Sequence, residues 1–238
     1  MSKLFTIVFP TRGRLQLLEK ILDSILFNTA NLANIEVLIA IDSDDLETQE
    51  FFQNKLYCFV KTHIVERSLN FSRDYYSYLA KQGTGKWIIA CNDDARFETK
   101  DWDLIAERVL NEYIGTGANI VHGWIEDNLN EYRAKGHGKY CCFPLIGRDG
   151  FEALGYVFPE RIPTWGADIW IRKLYDNVDR VVDLPITIAH YCHHNNTREQ
   201  DDISIRIANN QVGFDVEPTY NEINALLKGL RDAQKSNV

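Results

Sequence analysis

Within its first 94 residues the chain alternates short apolar runs with amphipathic stretches. The apolar runs cover residues 4–9, 35–41, 59–65 and 87–91. Each is too short for a helix and is bounded by turn or charged residues, so each reads as a strand, the last of them buried and the first stopped by Pro10. Between them, Leu15, Leu18, Leu22 and Ile25 recur at helical spacing. A second helix follows the acidic turn at 42–45 and runs through Leu56, and a third spans 71–81, carries Tyr75, Tyr76 and Tyr78, and is ended by Gly83. This β-α-β-α-β-α-β order predicts an α/β fold, a mostly parallel sheet with helices on both faces. Ligands of such a sheet gather at the carboxyl ends of its strands.

The fourth run, Lys86-Trp87-Ile88-Ile89-Ala90-Cys91-Asn92-Asp93-Asp94, ends abruptly in an amide and two carboxylates. Adjacent acids repel, and they tolerate closeness best with a cation between them and a second anion. Hard divalent ions such as Mg²⁺ and Mn²⁺ take oxygen ligands and are held by one or two carboxylates plus substrate phosphates. The alternative is a polar exit from a strand with both Asp side chains solvated.

Beyond residue 100 the pattern changes. Helices are expected over 102–113, 151–155, 165–176, 199–210 and 218–234, and strands over 119–125 and 181–189, the last bent or at an edge because of Pro185. Residues 126–140 are polar and punctuated by Gly136 and Gly138, the composition of a lid loop. The strands of the two halves interleave, so one domain over 1–238 is expected. Hydrophobic residues make up 45% and charged residues 25%, ordinary for a globular chain. A net charge of -8 argues against a general nucleic-acid-binding surface, which needs Lys and Arg to neutralise phosphates. The five Cys form no C-x-x-C pair, and Cys58 and Cys91 lie in apolar surroundings as small hydrophobes. This is a reduced, cytoplasmic pattern, with no signal peptide and no apolar stretch long enough for a transmembrane segment.

Four polar clusters follow one another in the first half, and their series resembles the large, mainly inverting group of GT-A glycosyltransferases. The opening strand ends in Phe9-Pro10-Thr11-Arg12-Gly13-Arg14, and the second in Ala40-Ile41-Asp42-Ser43-Asp44-Asp45. The third cluster is Asn70-Phe71-Ser72-Arg73-Asp74, with Asp where the group has a second Asn, and the fourth is the run from Gly85 to Asp94. The likeness covers about residues 4–103 and continues more loosely to about 200. It implies a GT-A (Rossmann-like) sheet, with a nucleotide-sugar-binding half over about 1–100 and an acceptor-binding half over about 101–238.

The resemblance also implies roles. Pro10 and Thr11 would set backbone amides against the nucleotide. Arg14 would bind base or phosphate, or else be a solvated charge at a helix start. Asp42 would accept from the base N–H, while Asp44 and Asp45 cap the next helix. Asn70 belongs to the donor-binding motif. Arg73 would reach diphosphate or ribose, or instead form an ion pair with Asp42 or Asp74. Asp93 would bind ribose or sugar hydroxyls, and Asp94 a divalent metal, Mn or Mg.

In the second half, Trp165-Gly166-Ala167-Asp168-Ile169-Trp170 resembles the acidic helix-start motif of the group. This makes Asp168 the candidate base, against an Asp merely favoured by the helix dipole. Trp165 would stack on a sugar of the acceptor, or else be core. In related enzymes a His after the last core strand completes the metal shell, here His190 or His193. A separate zinc site from His190, Cys192 and His194 lacks paired Cys spacing, and His137 reads as a loop histidine. The implied activity is metal-dependent transfer, with inversion, from a nucleotide-diphosphate sugar, most simply a UDP-sugar. The acceptor would be a glycan, a lipid-linked sugar, a protein or a modified DNA base. A nucleotidyltransferase is the competing enzyme class, but the loop after the first strand has one Gly rather than a Gly-rich, Lys-bearing run. A non-catalytic nucleotide- or carbohydrate-binding module is the competing non-enzyme.

Overall fold

The computed structural model describes residues 3–129, 140–192 and 215–236. Its centre is one eight-stranded sheet of order β3-β2-β1-β4-β7-β6-β8-β5. The first half supplies the parallel set: β1 (Phe5–Thr11), β2 (Ile35–Asp42), β3 (Val60–Val65) and β4 (Trp87–Ala90). The second half extends it. There, β7 (Leu145–Gly147) runs antiparallel between β4 and β6 (His122–Glu126), and β6 pairs in parallel with β8 (Val181–His190). At the far edge, β5 (Ala95–Phe97) lies antiparallel to the end of β8.

The helices cover both faces because β1, β2 and β4 are apolar on both. Side chains alternate across a strand. Phe5, Ile7 and Phe9 of β1 therefore face Leu18, Ile21, Leu22 and Ile25 of α1 (Leu15–Asn28), together with Trp102, Ala106 and Leu110 of α4 (Trp102–Ile114). Val8, Ala40 and Ile88 face the other way. They pack with Tyr75 of a π-helical turn (Ser72–Ser77) and Leu79 of α3 (Tyr78–Gln82). Phe151 of α5 (Arg148–Leu154) and Trp170 and Leu174 of α6 (Ala167–Asp176) join them, with Leu226 of α7 (Tyr220–Ser236). α2 (Leu46–Asn54) begins at Asp45, whose side chain accepts from the backbone N–H of Thr48.

Several expectations shift. The first strand continues through Pro10 to Thr11, because β4 ends opposite Val8 and leaves β1 partnered on one side only. The strand expected at 119–125 starts at His122, since Asn119 exchanges hydrogen bonds with Asp149 at the start of α5. β5 and β7, three residues each, are too short to show a period. Pro185 marks a bend: the β6–β8 register steps from Ile125↔Leu184 to Glu126↔Thr187. Cys58 is exposed in the turn before β3, not a small buried hydrophobe, whereas Cys91 is buried. None of the five Cys is in a disulfide. The expected helix at 199–210 and all but the ends of the 126–140 loop, His137 included, lie outside the described residues. No helix among the described residues is long and apolar enough to cross a membrane.

Candidate active site

The carboxyl ends of β1, β2 and β4 lie side by side, and their polar residues bind one another. Asp93 is 2% exposed. Its carboxylate accepts from Thr11 Oγ1 and pairs with Arg14 Nη1, both at 2.9 Å. Burial pushes the Asp93 carboxyl up, Arg14 and Thr11 oppose this, and the neighbouring Asp94 adds to it. Asp42, 5% exposed, accepts from the Tyr75 hydroxyl at 2.6 Å on Oδ1 and from Arg12 at 3.1 Å on Oδ2. Arg12 also grips Asp44, which therefore does not cap α2; Asp45 does. Gly13, at φ +60, turns the chain between the two arginines, and its N–H donates to Asp45 at 2.9 Å.

Asn70 and Arg73 lie at the start of the π-helical turn. Asn70 Oδ1 accepts from the Arg73 N–H at 3.0 Å and Nδ2 donates to the Glu160 carbonyl at 3.1 Å. The Arg73 guanidinium pairs with Asp74 at 2.6 Å and with Glu160. These bonds tie the helix start to the segment before α6 rather than to Asp42 or Asp93. Arg73 also lines an open cleft of about 540 Å³ at the end of β3, with Arg67, Ser68 and Tyr78. Because Asp42 pairs with Val65, that cleft adjoins the end of β2.

Tertiary structure brings a second set of groups to the same place. β5 follows Asp94 directly and pairs with the end of β8, so the Tyr191 N–H meets the Asp94 carbonyl at 2.9 Å. The same pairing sets His190 Nε2 3.2 Å from Asp94 Oδ1. Burial lowers the His190 pKa, but the Cys142 thiol and Asp94 carboxylate beside it raise it more, so it stands well above the ordinary value. His193 lies outside the described residues. Asp94 and His190 form an oxygen–nitrogen pair suited to a divalent ion. Two ligands at right angles on such an ion, each about 2.1 Å away, sit about 3.0 Å apart, close to this spacing. Among the described residues no three His, Cys, Asp or Glu side chains form a complete shell. The pair therefore suits an ion that takes its other ligands from substrate and water.

Asp168 occupies the first turn of α6, which Gly166 opens at φ +91. It is partly buried, and Oδ1 accepts from its neighbour Ile169's N–H at 2.9 Å. Burial raises its carboxyl to about 6; backbone N–H groups and His190 oppose the rise, and Asp127 adds to it. Asp127 is fully buried, accepts from Cys142 N at 2.8 Å, and through its carbonyl holds the His190 N–H at 3.2 Å. Trp165 is 37% exposed, so it is not core.

Three groups, Tyr75, Tyr76 and Arg96, escape a reading of the sequence. The Tyr76 hydroxyl donates to the Cys91 carbonyl at 3.0 Å and also reaches Asn92. It lies within electrostatic reach of Asp93, Asp94 and Asp168. Tyr75 holds Asp42. Arg96, buried behind the acidic pair, donates to the Asp93 carbonyl at 3.4 Å and stacks on Tyr191. Only the tyrosine pair carries a sequence signal, a run of aromatics beside an Arg, and a helix face buried in the core gives the same run.

No protein-family model matches the sequence, and no curated protein matches it either. Solved structures do resemble the fold. The mannosyltransferase PcManGT of Pyrobaculum calidifontis, in complex with GDP-Man and Mn²⁺, matches with a TM-score of 0.61 at 13% identity, over 99% of this chain and 76% of its own. S. aureus TarS 1-349 in complex with UDP matches at 0.58 and 14%, over 78% of this chain and 59% of that one. S. aureus TarS in a longer form matches at 0.60 and 15%, where the match spans only 36% of its length. At such identities the likeness shows the fold, a GT-A-like α/β sheet shared with a glycosyltransferase.

Proposed function

We propose that this chain is a glycosyltransferase that moves a sugar from a nucleoside-diphosphate sugar to an acceptor hydroxyl, with inversion. The observation that carries the reading is the meeting of Asp93 and Asp94, His190 and Asp168 at the carboxyl edge of the sheet. The fold is that of a mannosyltransferase in complex with GDP-Man and Mn²⁺, and TarS in complex with UDP shares it. Asp94 and His190 would hold a divalent ion, Mn²⁺ or Mg²⁺, which when bound neutralises charge on the departing diphosphate.

The chain's own groups do the rest. Pro10, Thr11 and Asp42 line the nucleotide side, with Asn70 and Arg73 at its margin. Arg14 stands between Asp93 and the opening, where it can meet a phosphate in place of its present partner. Asp93 accepts from ribose or sugar hydroxyls. Asp168, with its carboxyl raised to about 6, is ionised at neutral pH yet basic enough to take the acceptor hydroxyl's proton. As it does so, the acceptor oxygen bonds to the anomeric carbon and the bond to the diphosphate oxygen breaks on the opposite face. Trp165, exposed two residues before the first turn of α6, offers a flat surface to an acceptor sugar.

Release of nucleoside diphosphate from UDP- and GDP-sugars, measured with Mn²⁺ and with EDTA, tests this reading. Turnover of at least one donor that EDTA abolishes is expected. Tight diphosphate binding with no turnover of any donor would mark a non-catalytic module instead.

A further inference from the structure

We propose that Tyr75 is a specificity-determining residue, and that by occupying one oxygen of Asp42 it makes the nucleotide subsite select uracil over guanine. The inference rests on the nucleotide-sugar reading above and concerns which base that site accepts.

The geometry begins with the π-helical turn Ser72–Ser77. Turns of this kind are wider than α-helical ones and are frequent at functional sites. Here two consecutive phenols reach the ends of two different strands. Tyr75 reaches Asp42 at the end of β2, and Tyr76 reaches the Cys91 carbonyl at the end of β4. The direction of the Tyr75 bond is forced. Its oxygen accepts from the Ser68 N–H at 2.8 Å, and a carboxylate only accepts, so the hydroxyl proton points at Asp42 Oδ1. Tyr75 is buried among core side chains, so Oδ1 faces the interior.

Oδ2 faces the other way, toward Arg12, whose guanidinium is partly exposed. Arg12 has a second carboxylate in Asp44, so it can yield Asp42 to a ligand and keep an ionic partner. The subsite therefore offers one outward acceptor and, beside it, one donor. A uracil ring presents one N–H next to a carbonyl and matches that pair. Guanine presents N1–H and the exocyclic N2–H together and needs both carboxylate oxygens. With Oδ1 committed to Tyr75, the exocyclic amine is left unpaired, and an unpaired buried donor is a strong ground for rejection.

Calorimetric titration with UDP, GDP and inosine diphosphate in Mn²⁺ tests this on the unmodified protein. Inosine diphosphate keeps the N1–H and carbonyl of guanine but lacks the amine. UDP is expected to bind about tenfold or more tighter than GDP, and inosine diphosphate about fivefold or more tighter than GDP. In Tyr75→Phe the Asp42 carboxylate is no longer held and can turn Oδ1 outward, which should bring GDP level with inosine diphosphate, while UDP changes little. GDP binding as tightly as inosine diphosphate or UDP in the unmodified protein overturns the proposal. So does a Tyr75→Phe protein that loses affinity for all three by one factor, the mark of a purely structural tyrosine. Binding of none of the three sinks the nucleotide-sugar reading itself, and this inference with it.

Discussion

Replacing Asp168 by Asn should make the protein more stable and nearly inactive at once, and the two effects should differ in their pH dependence. The folded carboxyl titrates at about 6 against an ordinary value of 3.8. Its pKa is raised, so the folded state holds the proton more tightly than the unfolded one. Stability therefore falls as pH rises from about 4 to about 6, and a constant penalty remains above that. At about 1.4 kcal/mol per pH unit, the full difference is about 3 kcal/mol. Asp168 is only partly buried, and solvent screening reduces this to about 1–2 kcal/mol. Asn keeps the size and the oxygen that accepts from Ile169 but never ionises. At about 2–4 °C per kcal/mol for a chain of this length, Tm in EDTA should rise by about 2–8 °C at pH 8 and be unchanged near pH 4. Sugar transfer should fall by roughly 10²-fold or more, and the remaining wild-type transfer should decline as pH drops through about 6. A variant with normal transfer refutes the role, and one with a lower Tm at pH 8 than wild type refutes the electrostatics.

Asp94→Asn removes charge with little change in volume; Mn²⁺-dependent diphosphate binding should weaken about tenfold or more, read by calorimetry on the folded protein. Glu222, 6% exposed, accepts from Arg161 at 2.9 Å, from Tyr156 at 2.7 Å and from the Thr219 N–H, which ties α7 to the body of the fold. Although burial alone would raise it, these partners hold its carboxyl down at about 2. Its contribution is therefore present above about 4.5 and lost as pH falls toward 2, and Glu222→Gln should cost about 2–3 kcal/mol at pH 7 and almost nothing near pH 2 in denaturant titrations. Gly147→Ala would set a Cβ 1.5 Å from the Asn119 carbonyl oxygen, a backbone atom that cannot turn aside. A loss of about 3 kcal/mol or more is expected by thermal denaturation, and a neutral outcome would contradict the β4–β7–α5 junction.

Local patterning in the chain determines half of the fold. Three strands of the parallel set, β1, β2 and β4, follow from apolar runs separated by helical spacing, because burial on both faces imposes that pattern residue by residue, whereas β3 is an edge strand whose residues are half-buried or exposed. The polar clusters that end those runs were legible for the same reason, and Thr11, Arg14 and Asp93 do meet. What no local pattern carries is which distant segments touch. His190 reaches Asp94 only because three-residue β5 pairs with the end of β8, and three residues show no period. Arg73 was readable as a phosphate ligand or an ion-pair partner, and only packing gave it Asp74 and Glu160. Tyr75 and Tyr76 read only as residues of one helix, yet a π-helical turn sends them to different strand ends. Spacing along a chain encodes which face a side chain takes; hydrogen-bond partners and carboxyl pKa values depend on desolvation and neighbours that exist only once the two halves of the sheet have closed on each other.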